Sequence, residues 1–336
     1  MSSDPRPKGT IVLTRSQITD LVDLSEYIDT VEDAFRMYAD GKGSGIGMLH
    51  ADITEGIEFH IKSGGITLKK PYFALKVNGS SFQNRKKYDL PNIMGAIILF
   101  DGETIFPLAL LDSIEITIKR TGAATAVAAK YLARPDSDTA CIVGYGTQGK
   151  IQLTALSRVL RLTKAFVTGR NTEGGKSYAD EMSRELGIPV SFIPDIDDAV
   201  SRSDVIVTAT PARGPLFDAS APSPGAFIAA VGADSPDKQE LPPTLLGRGS
   251  VICDITDQCA RVGELHHAVD AGVMSIGDVR AELGEIIAGK KQGRISDDEI
   301  VIFDSTGTAI QDASAAATVY EKALSSGVGL MVNLMS

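Results

Sequence analysis

The middle of the chain alternates between two hydrophobic rhythms. Short apolar runs at 140–143, 165–168, 190–193, 205–208, 227–231 and 251–253 have the length of strands buried on both faces. Between several of them apolar residues recur at helical spacing, notably over 150–161, 175–186 and 196–203. Strands alternating with helices predict an α/β fold with a doubly wound parallel sheet. The first third is mixed. Residues 25–39 form an amphipathic helix with Ile28, Val31, Ala34, Phe35 and Tyr38 on one face, and 50–65, 72–77, 95–100 and 106–111 read as strands. A polar loop is expected over 78–91 and a turn at Asp101-Gly102. Alanine-rich helices follow at 117–132 and 307–325. The pattern therefore predicts a nucleotide-binding unit over 126–304, inserted in a split α+β domain made of 1–125 and 305–336.

The first strand of the alternating region runs into Cys141-Ile142-Val143-Gly144-Tyr145-Gly146-Thr147-Gln148-Gly149, a G-x-G-x-x-G loop that opens a helix. Strand, glycine turn and helix together are the context in which this spacing signals a dinucleotide. Gly144 allows the tight turn, Gly146 lets the backbone approach a pyrophosphate, and Gly149 lets helix and strand pack closely. The helix N-terminus supplies N–H groups to the phosphates, and Thr147 and Gln148 are placed in the same cofactor set. The second strand ends Thr168-Gly169-Arg170-Asn171, without the carboxylate that usually binds the ribose 2′-hydroxyl of NAD. Arg170 suits a 2′-phosphate, with Thr168 and Asn171 as hydrogen-bonding partners, which favours NADP(H); NAD(H) stays open, as does a solvated loop arginine.

Composition narrows the class. With 336 residues, 43% hydrophobic content and a formal charge of −10, the chain is suited to a globular enzyme and unsuited to nucleic acid as its main partner. No apolar run reaches the roughly 20 residues of a membrane span, and the polar start has no leader-like apolar core. Cys141, Cys253 and Cys259 lack zinc spacing, so no metal is expected. A reduced, cytoplasmic protein with cysteines as small core residues follows. His266 and His267 read as a solvated helix segment and Asp297-Asp298-Glu299 as a charged surface turn.

Several segments together resemble the ornithine cyclodeaminase/mu-crystallin family, in the order and spacing of nearly the whole chain. They are Phe73-Ala74-Leu75-Lys76-Val77-Asn78, Lys119-Arg120-Thr121-Gly122-Ala123-Ala124, the glycine loop, Val231-Gly232-Ala233-Asp234, Lys238-Gln239-Glu240-Leu241 and Phe303-Asp304-Ser305-Thr306-Gly307. The central and C-terminal parts look most like archaeal-type alanine dehydrogenases. The resemblance implies a homodimer joined through the split domain, a nicotinamide cofactor, and an amino- or imino-acid substrate. It gives Lys76 a role in holding the substrate carboxylate and assisting proton transfer, Arg120 a bidentate grip on the same carboxylate, and Asp234 an acid/base role. Residue chemistry is compatible with each. Lys76 lies in an apolar strand, where an ammonium is costly without a partner, Arg120 opens a helix of small residues, and Asp234 follows the 227–231 strand. Weaker candidates for the cofactor are Asn84, Thr121 with Gly122, and Ser305 with Thr306, each equally readable as turn chemistry.

Two departures concern the substrate. The arginine that many members carry before the first long strand has no counterpart near 48–50, and Ile61-Lys62 stands where a Met-Pro pair is usual. Lys62 either replaces the arginine or reads a second carboxylate on an iminosuccinate-like substrate, unless it is a lysine on an exposed strand face. His50 and His60 are further candidates to line the pocket. The leading function is an NAD(P)H-dependent imino-acid reductase or amino-acid dehydrogenase acting on an alanine- or aspartate-like compound. The alternatives are an ornithine or lysine cyclodeaminase with catalytic NAD, which would want an acid for the distal ammonium, and a cofactor-retaining binding protein.

Overall fold

The computed structural model describes residues 9–81 and 83–334, so the polar start of the chain and Phe82, within the expected 78–91 loop, lie outside it. The chain separates into two compact units, Met1–Arg120 with Thr308–Ser336, and Thr121–Gly307. Helical periodicity runs unbroken through residue 120, which is why a boundary read from pattern alone falls further along.

In the split unit the elements are β1 (Thr10–Leu13), α1 (Arg15–Leu21), α2 (Leu24–Ala39), β2 (Gly43–Thr54), β3 (Ile57–Thr67), β4 (Pro71–Ser81), α3 (Asn84–Tyr88), β5 (Ile93–Asp101) and β6 (Pro107–Asp112). Helix α4 (Ser113–Leu132) carries the chain out of this unit, and after the inserted unit α12 (Ala309–Ser326) and β15 (Leu330–Val332) complete it. The seven strands are ordered β15-β1-β6-β5-β4-β3-β2, antiparallel except for β1 beside β6. Helix α2 starts on a capping box in which Asp23 and Glu26 each accept the other's backbone N–H, and it buries Tyr27, Ile28, Val31, Ala34 and Phe35. Alanine-rich α12 packs against α2, β3 and β4. A Cβ on Gly64 would stand 2.8 Å from the Cβ of Ala309, so glycine in β3 is what lets the first turn of α12 lie on the sheet.

The face that β4 presents to its core is unusual. Tyr72, Ala74, Lys76 and Ser80 are buried, whereas Phe73, Leu75 and Val77, alternating with them, are only half-buried. Register extends this second face sideways: Phe73 pairs with Phe100, Leu75 with Ile98, and Val77 with Ala96 and Ile61. An amine sits where strand alternation normally puts an apolar side chain, and apolar side chains sit where it normally puts polar ones.

The inserted unit contains β7 (Thr139–Val143), α5 (Thr147–Val159), β8 (Lys164–Thr168), α6 (Thr172–Leu186), β9 (Val190–Phe192), α7 (Ile196–Ser201), β10 (Val205–Thr208), β11 (Phe227–Ala230), α8 (Pro243–Leu246), β12 (Ser250–Cys253), α9 (Thr256–Val262), α10 (Glu264–Asp270), β13 (Ala281–Glu282), α11 (Leu283–Ile287) and β14 (Val301–Asp304). The strand order β13-β12-β14-β11-β10-β7-β8-β9 is parallel throughout. The direction of winding reverses between β7 and β10, which is where ligands bind in doubly wound sheets. All three cysteines are buried, and no helix among the described residues is long and apolar enough to cross a membrane.

The strands and helices expected from pattern are present, with ends moved by a few residues. Patterning assigns no strand to β1, β13, β14 or β15 and no helix to α1, α3, α8, α9 or α11, and each of these helices, at seven residues or fewer, shows too little of a helical period. The expected 78–91 loop is partly the end of β4 and partly α3. Glu299 is no mere surface charge: its carboxylate accepts from Ser250 and Arg280 and ties down the 295–299 turn. His266 and His267 do lie on a helix, α10, but His267 is half-buried with Nε2 2.7 Å from the carbonyl of Lys238.

Candidate active site

In the inserted unit the glycine loop closes β7 onto α5. Gly144 has φ of +104°, and a Cβ there would lie 2.8 Å from the carbonyl oxygen of Ala209, beyond the end of β10. A Cβ on Gly149 would meet the carbonyl oxygen of Gly144 at 2.0 Å. Each demands glycine. Above Gly146, by contrast, no described atom lies within 4 Å of a Cβ position, and no side chain caps α5 there. Thr147 is exposed and Gln148 half-buried, while Gly149 is buried against the loop, so α5 starts without a side-chain cap and with the helix dipole behind it. This cradle fits a pyrophosphate.

The neighbouring strand tip corrects part of the sequence reading. Thr168 is wholly buried, so its hydroxyl is withdrawn from any ribose phosphate. The side chain of Asn171 caps α6, accepting from the N–H of Gly174 at 2.8 Å. Arg170 alone is the exposed cation at this tip. Tyr145, to which patterning gives no role, braces it: its hydroxyl donates to the carbonyl of Asn171 at 2.8 Å and accepts from that residue's N–H at 2.6 Å. Other cofactor candidates have structural work. Gly122 admits α5, since a Cβ would be 2.9 Å from Ile151, and Thr121 is buried beside it. Ser305 is buried at 3% exposure, and the Thr306 hydroxyl donates to Asp254 at 2.9 Å. Asn84 belongs to the split unit, where its amide donates to the carbonyl of Pro91.

In the split unit Lys76 and Arg120 converge on one carboxylate that patterning does not single out. Asp312, in the first turn of α12, has Oδ2 2.6 Å from Lys76 Nζ and Oδ1 2.9 Å from Arg120 Nε; Arg120 also donates to Gln311 at 3.0 Å. All three charged groups are buried. Lys62 is also buried, at 6% exposure, and stands opposite Lys76 in the β3–β4 register. This excludes the reading of Lys62 as an exposed strand lysine. Burial lowers the Lys76 ammonium to about 7, with Arg120 and Lys62 pushing the same way and Asp312 opposing them. Asp312 is buried too, but its cationic neighbours prevail and keep its carboxyl below the usual range. The lysine can therefore change protonation near neutrality, as an acid/base group must. His50 has a different setting: its contacts are with Asp52, Glu58 and His60.

Asp234 lies four residues beyond β11 and is paired with Lys238 at 2.6 Å, on a loop that remains partly exposed. Beneath it, buried Glu240 accepts from Thr208 Oγ1, from Thr210 through both N–H and hydroxyl, and from the N–H of Gly232. Glu264 in turn accepts from the N–H groups of Glu240 and Leu241. A Cβ on Gly232 would collide with Glu240 and with the carbonyl of Thr210. Two buried carboxylates thus fix the path of the backbone that presents Asp234. No local pattern distinguishes them from surface acids; their apolar flanks are the only signal.

With this geometry in view, comparison with known proteins is decisive. A model of the ornithine cyclodeaminase/mu-crystallin family matches residues 8–327. The chain belongs to that family. Among its solved relatives, an archaeal alanine dehydrogenase dimer with bound NAD is 39% identical, with a TM-score of 0.91 over 97% of this chain and 99% of that one. The Δ1-pyrroline-2-carboxylate reductase of Thermococcus litoralis, in complex with NADH and L-proline, is 35% identical with a TM-score of 0.91, covering 96% of this chain and 100% of that one. The iminosuccinate reductase of Paracoccus denitrificans, in complex with NAD+, is 30% identical with a TM-score of 0.91, covering 97% and 100%. In this member of the ornithine cyclodeaminase/mu-crystallin family the segments that carry the resemblance become β4, the start of the α4 stretch beyond residue 119, the glycine loop, the Asp234 loop and the end of β14.

Proposed function

We propose that the protein is an NAD(P)H-dependent imino-acid reductase, running in reverse as an amino-acid dehydrogenase, on small α-imino acids. The observation that carries this reading is the buried Lys76–Asp312–Arg120 cluster on the sheet. A carboxylate substrate needs cations that are desolvated and preorganised. Here Asp312 holds them in place, and the substrate carboxylate would join them. When bound, a nicotinamide cofactor would supply the hydride for the imine carbon. Lys76, titrating near neutrality, is the acid/base candidate of the split unit, and Asp234 that of the inserted unit. Relatives that act on alanine, pyrroline-2-carboxylate and iminosuccinate support this class. A cyclodeaminase wants an acid for a distal ammonium, and buried Lys62 beside Lys76 disfavours a cationic tail while suiting a second carboxylate.

The uncapped N-terminus of α5 would hold the pyrophosphate, and Arg170 would add a 2′-phosphate preference to an NAD-type site. The half-buried apolar face centred on Phe73, Leu75 and Val77 suits a homodimer joined through the split unit. Asp234→Asn is expected to lower kcat by roughly 10²-fold or more with nearly unchanged cofactor binding. Unchanged kcat would remove Asp234 from the mechanism. Arg170→Ala is expected to weaken NADPH binding by about tenfold more than NADH binding, the scale of one charge-assisted hydrogen bond; equal losses would remove the 2′-phosphate argument.

A further inference from the structure

The β2–β3 hairpin gathers two histidines and two carboxylates on one face, beginning two residues along β3 from Lys62. Register sets His50 directly opposite His60 and Asp52 opposite Glu58. Residues two apart on a strand share a face, so all four side chains project the same way. The imidazole rings meet edge-on, with centroids 4.5 Å apart. Glu58 reaches both rings: its Oε2 lies 3.7 Å from His50 Nε2 and its Oε1 3.5 Å from His60 Nε2. One donor atom from each of His50, Glu58 and His60 falls within 4.8 Å of the other two.

That spacing is informative. Ligands about 2.0–2.1 Å from a tetrahedral ion are about 3.4 Å from one another. The carboxylate oxygens already stand at nearly this separation from the two imidazole nitrogens. Ser80 donates to Glu58 Oε1 at 2.8 Å and orients the carboxylate, the kind of outer hydrogen bond that ligating groups receive. Asp52 Oδ1 is 3.1 Å from His50 Nε2 at the exposed rim.

We propose that His50, Glu58 and His60 form a binding site for one divalent ion of the zinc class, with the fourth position open to water. Two imidazoles with one carboxylate favour Zn2+, Co2+ or Ni2+ over Mg2+ and Ca2+, which prefer oxygen ligands alone. The ion would join the two strands of the hairpin and stabilise the folded chain by mass action. His50 and His60, read from sequence as candidates to line the pocket, are assigned to the ion instead, and none of the three ligands is given a part in hydride or proton transfer.

The test uses the full-length protein, stripped with chelator, dialysed against Zn2+ and quantified by atomic spectroscopy. Unfolding is followed in parallel with and without metal. One zinc per chain is expected, with a rise in Tm. His50→Gln and His60→Gln should each abolish both while retaining a native circular dichroism spectrum, and His266→Gln should change neither. Substoichiometric zinc in the parent protein would overturn the proposal. So would zinc that survives both hairpin variants, or that is lost instead with Cys259→Ala in the buried Cys253–Cys259–Asp304 group.

Discussion

At the scale of single residues, the chemistry rests on charges held out of water. Lys76 stands out in the sequence because an ammonium in an apolar strand needs a reason. Its partner Asp312 has an equally clear mark: a carboxylate within Ile310-Gln311-Asp312-Ala313-Ser314-Ala315, on a helix buried on nearly every side. Helical periodicity hides that mark, because an alanine-rich helix reads the same whether one face or all faces are covered. Arg120 looks like a surface residue until α12 is in place. The environment of Lys76 makes a signed prediction. Removing the neighbouring cation in Lys62→Met relieves a repulsion that lowers the lysine, whereas Asp312→Asn removes the group that raises it. If protonated Lys76 is the active form in the reductive direction, kcat/KM falls as pH rises through about 7. That limb should move to higher pH in Lys62→Met and to lower pH in Asp312→Asn. A pH profile whose midpoint ignores both substitutions would show that another group governs it.

At the scale of elements, close approach decides where the charges can meet. Strand periodicity locates β3 and β4, and the alanine run locates α12, but neither says that the two touch. Gly64 supplies the contact, and its meaning appears only when Ala309 is seen above it. Gly64→Val is expected to push the first turn of α12 off the sheet at a cost of about 1–3 kcal/mol, the usual range for overpacking. It should lower Tm and raise the KM for the oxo acid, while NADH binding, built on α5 in the other unit, is preserved. A variant with parental KM would show that the register of α12 does not set the acid-binding cluster. The glycine loop is different, because spacing and flanking pattern alone reveal it. The contact of Gly149 with Gly144 is local to β7 and α5, and local logic is what sequence displays, although Gly144 also meets Ala209 beyond β10. The roles of Glu240 and Glu264 depend on contacts between distant segments, which local pattern does not carry.

For the whole molecule, the division into an inserted unit with the glycine loop and a split unit follows from the change of rhythm along the chain. The parallel sheet reads easily because its strands are short, apolar and separated by helices. The split unit reads less easily, for its first and last strands are brief and β4 carries polar residues inward. The apolar outer face of that sheet is the counterpart of the inversion. Placing a carboxylate at its centre, in Leu75→Glu, is expected to convert a dimer into a monomer in sedimentation equilibrium, with the fold retained. A parent protein that is monomeric at micromolar concentration would contradict the homodimer reading.

Net reduction of an imino acid fixes the stoichiometry of cofactor and product. The protein would be mixed with NADPH or NADH, excess ammonia, and in turn pyruvate, glyoxylate, oxaloacetate or a cyclic imine, while absorbance at 340 nm and amino-acid product are followed together. One cofactor oxidised per amino acid formed is expected, with oxaloacetate favoured if Lys62 reads a second carboxylate. Ammonia released from ornithine or lysine in the presence of NAD, with total NADH unchanged and no oxidation across the oxo-acid panel, would contradict it.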